Sequence, residues 1–159
     1  MRLRPSLALA AVVVLGACAP LGDHSAFAPG PWVERDGASV LVRYSTGGGV
    51  FATAIDLGRI REAGGRVVID GDCLSACTLA LMDVVASTVC WTSGARFAFH
   101  AAHVNGRLHA DQTASNLASM PAAVRAALPR SGDWSVARWY VLAGDWLHAA
   151  LGRGNCGRS

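Results

Sequence analysis

The chain predicts an α/β fold with parallel crossovers, and three observations carry that expectation. Apolar, β-branched runs at 39–44 and 66–70 flank a stretch, 50–63, whose apolar residues recur at helical spacing. A second helical run, 76–85, follows and leads into two short strand-like segments, 88–92 and 96–100. The run RVVID is apolar enough throughout to lie inside a parallel sheet.

Each element has its own reason. SVLVRY reads as a strand, and the glycines of STGGG break it. Val50, Ala54, Leu57 and Ile60 then mark the buried side of a helix, with Arg59, Arg61 and Glu62 free to face water. Gly64 and Gly65 end it. Beyond Ala110 the pattern is helical in two runs, 112–128 and 134–151, separated by PRSGD. The tail GRGNCGRS is expected to be irregular and pinned through Cys156, and there is no internal repeat.

The first eighteen residues, MRLRPSLALAAVVVLGAC, combine Arg2 and Arg4 with an apolar core from Leu7 to Leu15. A basic start and an apolar run this short make a secretory signal, not a membrane span. The sequence LGAC resembles a bacterial lipoprotein box; the alternative is a plain signal with a chance cysteine. The resemblance implies cleavage before Cys18, a diacylglycerol on its thiol, and a membrane partner reached through that lipid. Ala19 after the cysteine implies a cell-envelope protein held at the outer membrane and facing the periplasm. The expected organisation is a signal peptide at 1–17, a Pro/Gly-rich tether at 18–36, one domain at 37–152 and a tail at 153–159.

Loss of Arg2 and Arg4 reduces the formal charge from +3 to +1, and no Lys/Arg cluster supports nucleic-acid binding. Every basic residue is arginine; the chain has no lysine. With Cys18 acylated, four cysteines remain: Cys73, Cys77, Cys90 and Cys156. In an oxidising compartment they suggest two disulfides among three connectivities, of which Cys73–Cys77 with Cys90–Cys156 is favoured. Their spacing matches no standard zinc motif. His100, His103 and His109 fit no helical metal pair either and read as loop histidines. No cofactor is expected. Trp134, Trp139, Tyr140 and Trp146 read as a core or partner-facing stripe. Arg125, Arg130 and Arg138 read as a solvated face, or as contacts to anionic headgroups.

Ser75, in GDCLSACT, stands where a strand passes into a helix. Such a serine is either a nucleophile on a sharp turn or an ordinary helix cap. Two features favour the nucleophile. STGGGV places unobstructed backbone amides at a helix start, which suits an oxyanion hole. His100 closes the strand RFAFH twenty-five residues after Ser75, and parallel neighbouring strands bring their carboxyl ends to one edge.

Ser45-Thr46-Gly47-Gly48, a helix, a strand, Ser75 and then His100 resemble the proteolytic subunit of Clp and the wider ClpP/crotonase superfamily. CLSAC followed by ARFAFH is similar to exported bacterial proteins of that superfamily with a C-x-S-A-C motif. The likeness covers about residues 39–100. It implies a parallel-sheet spiral with a short helical C-terminal part, Ser75 as nucleophile and His100 as general base. Gly47 or Gly48, with Ala76, would supply the oxyanion amides. The family's acid lies well beyond the histidine, which implies Asp145, with Asp133 as the alternative. Thr46 replaces the family's proline, and Met82-Asp83 stands where an Ala-Gly pair is usual. Without lysine, the Ser/Lys dyad of another branch is impossible. Two functions are therefore expected: a lipid-anchored serine hydrolase acting on a peptide or protein, or a non-catalytic envelope lipoprotein using the same fold as a binding or scaffold module.

Overall fold

The computed structural model describes residues 33–130 and 132–156. The expected signal, the lipidation site Cys18, most of the tether and the last three tail residues lie outside the described residues. Strands β1 (Val33–Asp36) and β2 (Ser39–Ser45) form an antiparallel hairpin. Helix α1 (Val50–Glu62) leads to β3 (Val67–Leu74), which pairs parallel with β2. Two 3₁₀ segments, Ser75–Leu81 and Asp83–Val85, connect to β4 (Val89–Trp91), parallel to the first half of β3. Then β5 (Arg96–Phe99) pairs parallel with its second half. A small hairpin, β6 (His103–Val104) and β7 (Arg107–Leu108), precedes α2 (Ala110–Ala118) and α3 (Ala122–Ala127). Strand β8 (Tyr140–Ala143) adds antiparallel to β5, and α4 (Gly144–Leu151) follows. The main sheet runs β1-β2-β3-β5-β8, with β4 beside β3.

The alternation of side chains across the sheet decides its two faces. Val40, Val42, Val67, Ile69, Phe97 and Phe99 point into one core with Leu57 and Ile60 of α1, Val124 of α3 and Leu147 of α4. The opposite face is charged, with Arg43 between Glu34 and Asp70, and Arg96 bonded to Asp72 at 2.6 Å through two nitrogens. These pairs are exposed and contribute little stability each, but they keep that face polar. Gly71 is where β3 passes a register irregularity in β2, between Val42 and Tyr44; a Cβ there would overlap the Arg43 carbonyl.

Several elements depart from expectation. Val33–Asp36, assigned to the tether, is a sheet strand because Gly37 (φ +57°) closes a tight turn onto β2. In α1 the buried position is Thr53, not Ala54; the Thr53 hydroxyl bonds the Gly49 carbonyl, so a polar residue is satisfied inside. The run after Ser75 is a tighter 3₁₀ helix. The Cys73–Cys77 disulfide draws Cys77 back towards β3, and the Thr78 hydroxyl takes the Ser75 carbonyl at 2.7 Å. Residues 112–128 are two helices because Pro121 has no N–H to continue the first. Arg125 is exposed, as a solvated face requires, and its guanidinium also bonds the Met120 carbonyl, closing the end of α2. Residues 134–151 are not one helix either. Tyr140, Val141 and Leu142 are aromatic or branched and complete the sheet as β8.

Both favoured disulfides are present, Cys73–Cys77 and Cys90–Cys156. The second joins β4 to the tail, where Asn155 also bridges Trp91. Trp91 is fully buried, and its indole N–H donates to the Gly144 carbonyl at 3.1 Å. Loop closure across 66 residues is worth about 4 kcal/mol, against about 2 kcal/mol for the four-residue link. Replacing Cys90 and Cys156 together by serine should therefore lower unfolding free energy by roughly 4 kcal/mol in denaturant titrations, about twice the loss from replacing Cys73 and Cys77. Equal losses would mean that loop length does not set their contributions.

Candidate active site

Parallel pairing of β3 with β5 sets Leu74 opposite Ala98, so both chains leave the sheet at the same edge. Ser75 follows one strand and His100 the other. Their side chains meet: Ser75 Oγ lies 2.7 Å from His100 Nε2. In the tautomer with Nδ1 protonated, the hydroxyl donates to Nε2, which is the arrangement a general base requires. Ser75 itself has φ +55°, a left-handed conformation uncommon for a residue with a Cβ. That conformation turns the chain sharply and presents the hydroxyl at the start of the 3₁₀ helix. The side chain makes no capping bond, so the helix-cap alternative does not describe it.

The glycine loop holds this turn from beneath. Gly47 has φ +87°, and a Cβ on it would sit 2.6 Å from the Leu74 carbonyl oxygen and 2.7 Å from both the Ala76 nitrogen and the Ser75 Cβ. Only glycine permits that approach. Its amide donates to the buried Ser45 hydroxyl at 3.2 Å, so Gly47 is not a free donor. Among the described residues, the Gly48 and Ala76 amides have no acceptor within the fold. Gly48 lines the open cleft and Ala76 the inner cavity at Ser75. Of the two glycines expected to serve an oxyanion, Gly48 is the one with an unused N–H.

His100 is half-buried, and this burial holds its imidazole below the ordinary pKa, with a smaller contribution from neighbouring His103. The ring packs against Trp139 with centroids 4.3 Å apart and against His103 at 5.2 Å. Among the described residues, its buried Nδ1 finds no hydrogen-bond partner. Asp145 does not supply one. It follows Ala143, which pairs with Arg96 at the far end of β5, about 13 Å of strand rise from His100. Its carboxylate bonds the Trp146 amide instead. Asp133 is exposed, and its backbone carbonyl accepts from the Tyr140 hydroxyl. Neither aspartate completes a triad here.

Two residues near the pair escaped the sequence reading. Trp139 was grouped with a helical stripe, but it ends the irregular segment before β8 and covers His100. His103 was placed in a loop, whereas Asn105 (φ +51°) and Gly106 (φ +74°) turn a hairpin that carries it beside His100. The signal was present, since Asn-Gly between short apolar segments is a strong hairpin marker. His103 and His109 line the same open cleft of about 410 Å³ as Ser75, His100 and Gly48. Among the described residues, no group of three or more His, Cys, Asp or Glu side chains is placed to hold a metal.

Neither the family models nor the curated proteins with which the chain was compared match it. Gly47→Ala should destabilise the protein by at least about 1–3 kcal/mol, through a left-handed alanine and overlap with the Ser75 turn. A Gly47→Ala unfolding curve superimposed on the wild type would contradict the packing described. The His100 ring should titrate below the ordinary imidazole range by NMR. Because its folded pKa is depressed, unfolding takes up a proton as pH falls from the ordinary value towards the folded one. Stability should decline across that window, level off below it, and lose this component in His100→Gln.

Proposed function

We propose that the protein is a serine hydrolase of the ClpP/crotonase type, peptidase-like, acting through Ser75 and His100. The observation that carries the proposal is the 2.7 Å contact between Ser75 Oγ and His100 Nε2, made by a serine in a left-handed turn. The superfamily likeness is supported by the order of parts: β2, glycine loop, α1, β3, the Ser75 turn, β5 and His100. His100 takes the hydroxyl proton as Oγ bonds to a carbonyl carbon. The carbonyl oxygen, now an anion, is held by the Gly48 and Ala76 amides. Collapse expels the amine or alcohol, which leaves with the proton from His100. Water then repeats the sequence on the acyl-serine, releasing the acid and restoring the Ser75 hydroxyl. Each positioned oxyanion donor is worth about 10²–10³ in rate, and the base about 10²–10⁴.

The orphaned Nδ1 favours one competing reading, an envelope lipoprotein that keeps this fold as a non-catalytic binding or scaffold module. With no acid on Nδ1 among the described residues, burial and His103 both disfavour the imidazolium, so a slow enzyme is expected. The location proposed is the cell envelope, at the outer membrane facing the periplasm, through a lipid on Cys18. The N-terminal sequence and two disulfides support it, since disulfides persist in oxidising compartments. Among the described residues no helix is long and apolar enough to cross a membrane.

A fluorophosphonate probe separates the two readings. Wild type should be labelled, Ser75→Ala should not, and His100→Gln should label about 10²–10⁴ times more slowly. Folded wild type without Ser75-dependent label would support the scaffold. Incorporation of radiolabelled palmitate by the wild-type precursor but not by Cys18→Ala tests the anchor; equal incorporation would sink it.

A further inference from the structure

Ser75 and His100 stand between two spaces of different character. Outside is the open cleft of about 410 Å³, with exposed Phe51 and Val104 among its lining residues. Behind them is a cavity of about 50 Å³ walled by Leu79, Phe99, Leu117, Met120 and Trp134. Much of its polar lining is engaged within the fold. Thr78 donates to the Ser75 carbonyl, Thr113 bonds both the His109 carbonyl and the Ala102 amide, and Asn116 accepts from Gln112. No carboxylate, guanidinium or amine lines it. Beyond the Ser75–His100 pair and the Ala76 amide its wall is mainly hydrocarbon, which suits an uncharged group.

Resting on the hydrolase reading, we infer that this cavity is the subsite for the acyl substituent and admits an uncharged aliphatic group of about two to four carbons. The size follows from comparison: a cavity of about 150 Å³ holds benzene, and one water needs about 10–15 Å³. The assignment to the acyl side follows from access. A leaving group must depart and be replaced by water, which suits the wider cleft, whereas the group that stays on the serine can occupy the smaller space. Phe99, Met120 and Trp134 are buried. Met120 is further fixed by the Arg125 bond to its carbonyl, so the cavity floor is firm. Substrates are thus esters or amides of short aliphatic acyl groups, including peptides cleaved after alanine- or valine-sized residues, and not after aromatic or charged ones.

A series of fluorophosphonates carrying methyl, propyl, butyl or octyl on phosphorus, with one common reporter, tests this. Ser75 Oγ forms the P–O bond, fluoride leaves, and the serine proton passes to His100. Each methylene that enters the cavity should raise the labelling rate about fourfold. The rate should then fall at least about tenfold between butyl and octyl, where a chain too large for the cavity meets a close-packed floor. Leu117→Ala should move the optimum to longer chains. Rates that ignore chain length, or climb through octyl, overturn the subsite while Ser75-dependent labelling leaves the hydrolase reading standing. No label with any probe overturns the hydrolase reading itself. The cavity is then judged on Ser75→Ala protein, by the Met120 methyl resonance. A shift with butyramide and none with octanamide supports a small aliphatic site, and no shift with butyramide overturns it.

Discussion

The parallel ladder between β3 and β5 is the constraint from which the site follows. Once Asp72, Cys73 and Leu74 pair with Arg96, Phe97 and Ala98, the residues just past each strand end must come together. One residue of slip would move Phe97 from the core to the charged face and bring Arg96 inward. The placing of Phe97 and Phe99 in the core, with Arg96 outside, therefore sets the distance between Ser75 and His100 as firmly as any contact at the site. The Arg96–Asp72 pair adds little energy at the surface, but it is satisfied only in this register.

The glycine loop depends on the same alignment. β2 lies parallel to β3 with Ser45 opposite Cys73, so the chain leaving β2 passes under the chain leaving β3. Gly47 occupies the crossing, Ser45 holds its amide, and Gly48 is left with its N–H unused. A hydroxyl, an imidazole and two amides thus gather from three strand ends without a long loop. Among the described residues, no acid reaches Nδ1. Trp139 and His103 hold the ring by packing instead, which fixes its plane but supplies no charge for the imidazolium.

The legible parts of the sequence were those whose signal is local. The two parallel strands, α1, the glycine run and the serine at a strand end each announce themselves within a few residues. Cys73 and Cys77 were close enough in sequence to pair with little choice. The less legible parts needed long-range information. Residues 140–143 contain side chains that suit either a helix or a strand, and only the free edge of β5 decides between them. Asp145 had the right chemistry and separation, but its position depends on β8 running antiparallel, which carries it away from His100. Pro121 lies within a helical periodicity that continues past it, and the Asn105-Gly106 pair lies in a stretch that reads as loop.

The short disulfide has a consequence of another kind. A link across four residues restricts the unfolded chain less than one across 66, yet it encloses the left-handed serine on which the site turns. The long disulfide does the opposite, closing most of the domain far from Ser75. Global endurance and local shape are thereby assigned to separate covalent bonds. A mild reductant acting on the first alone would leave a folded molecule with intact secondary structure and a displaced hydroxyl. Such damage would lower a melting curve only modestly and would be plainest to a reagent that needs the serine in place.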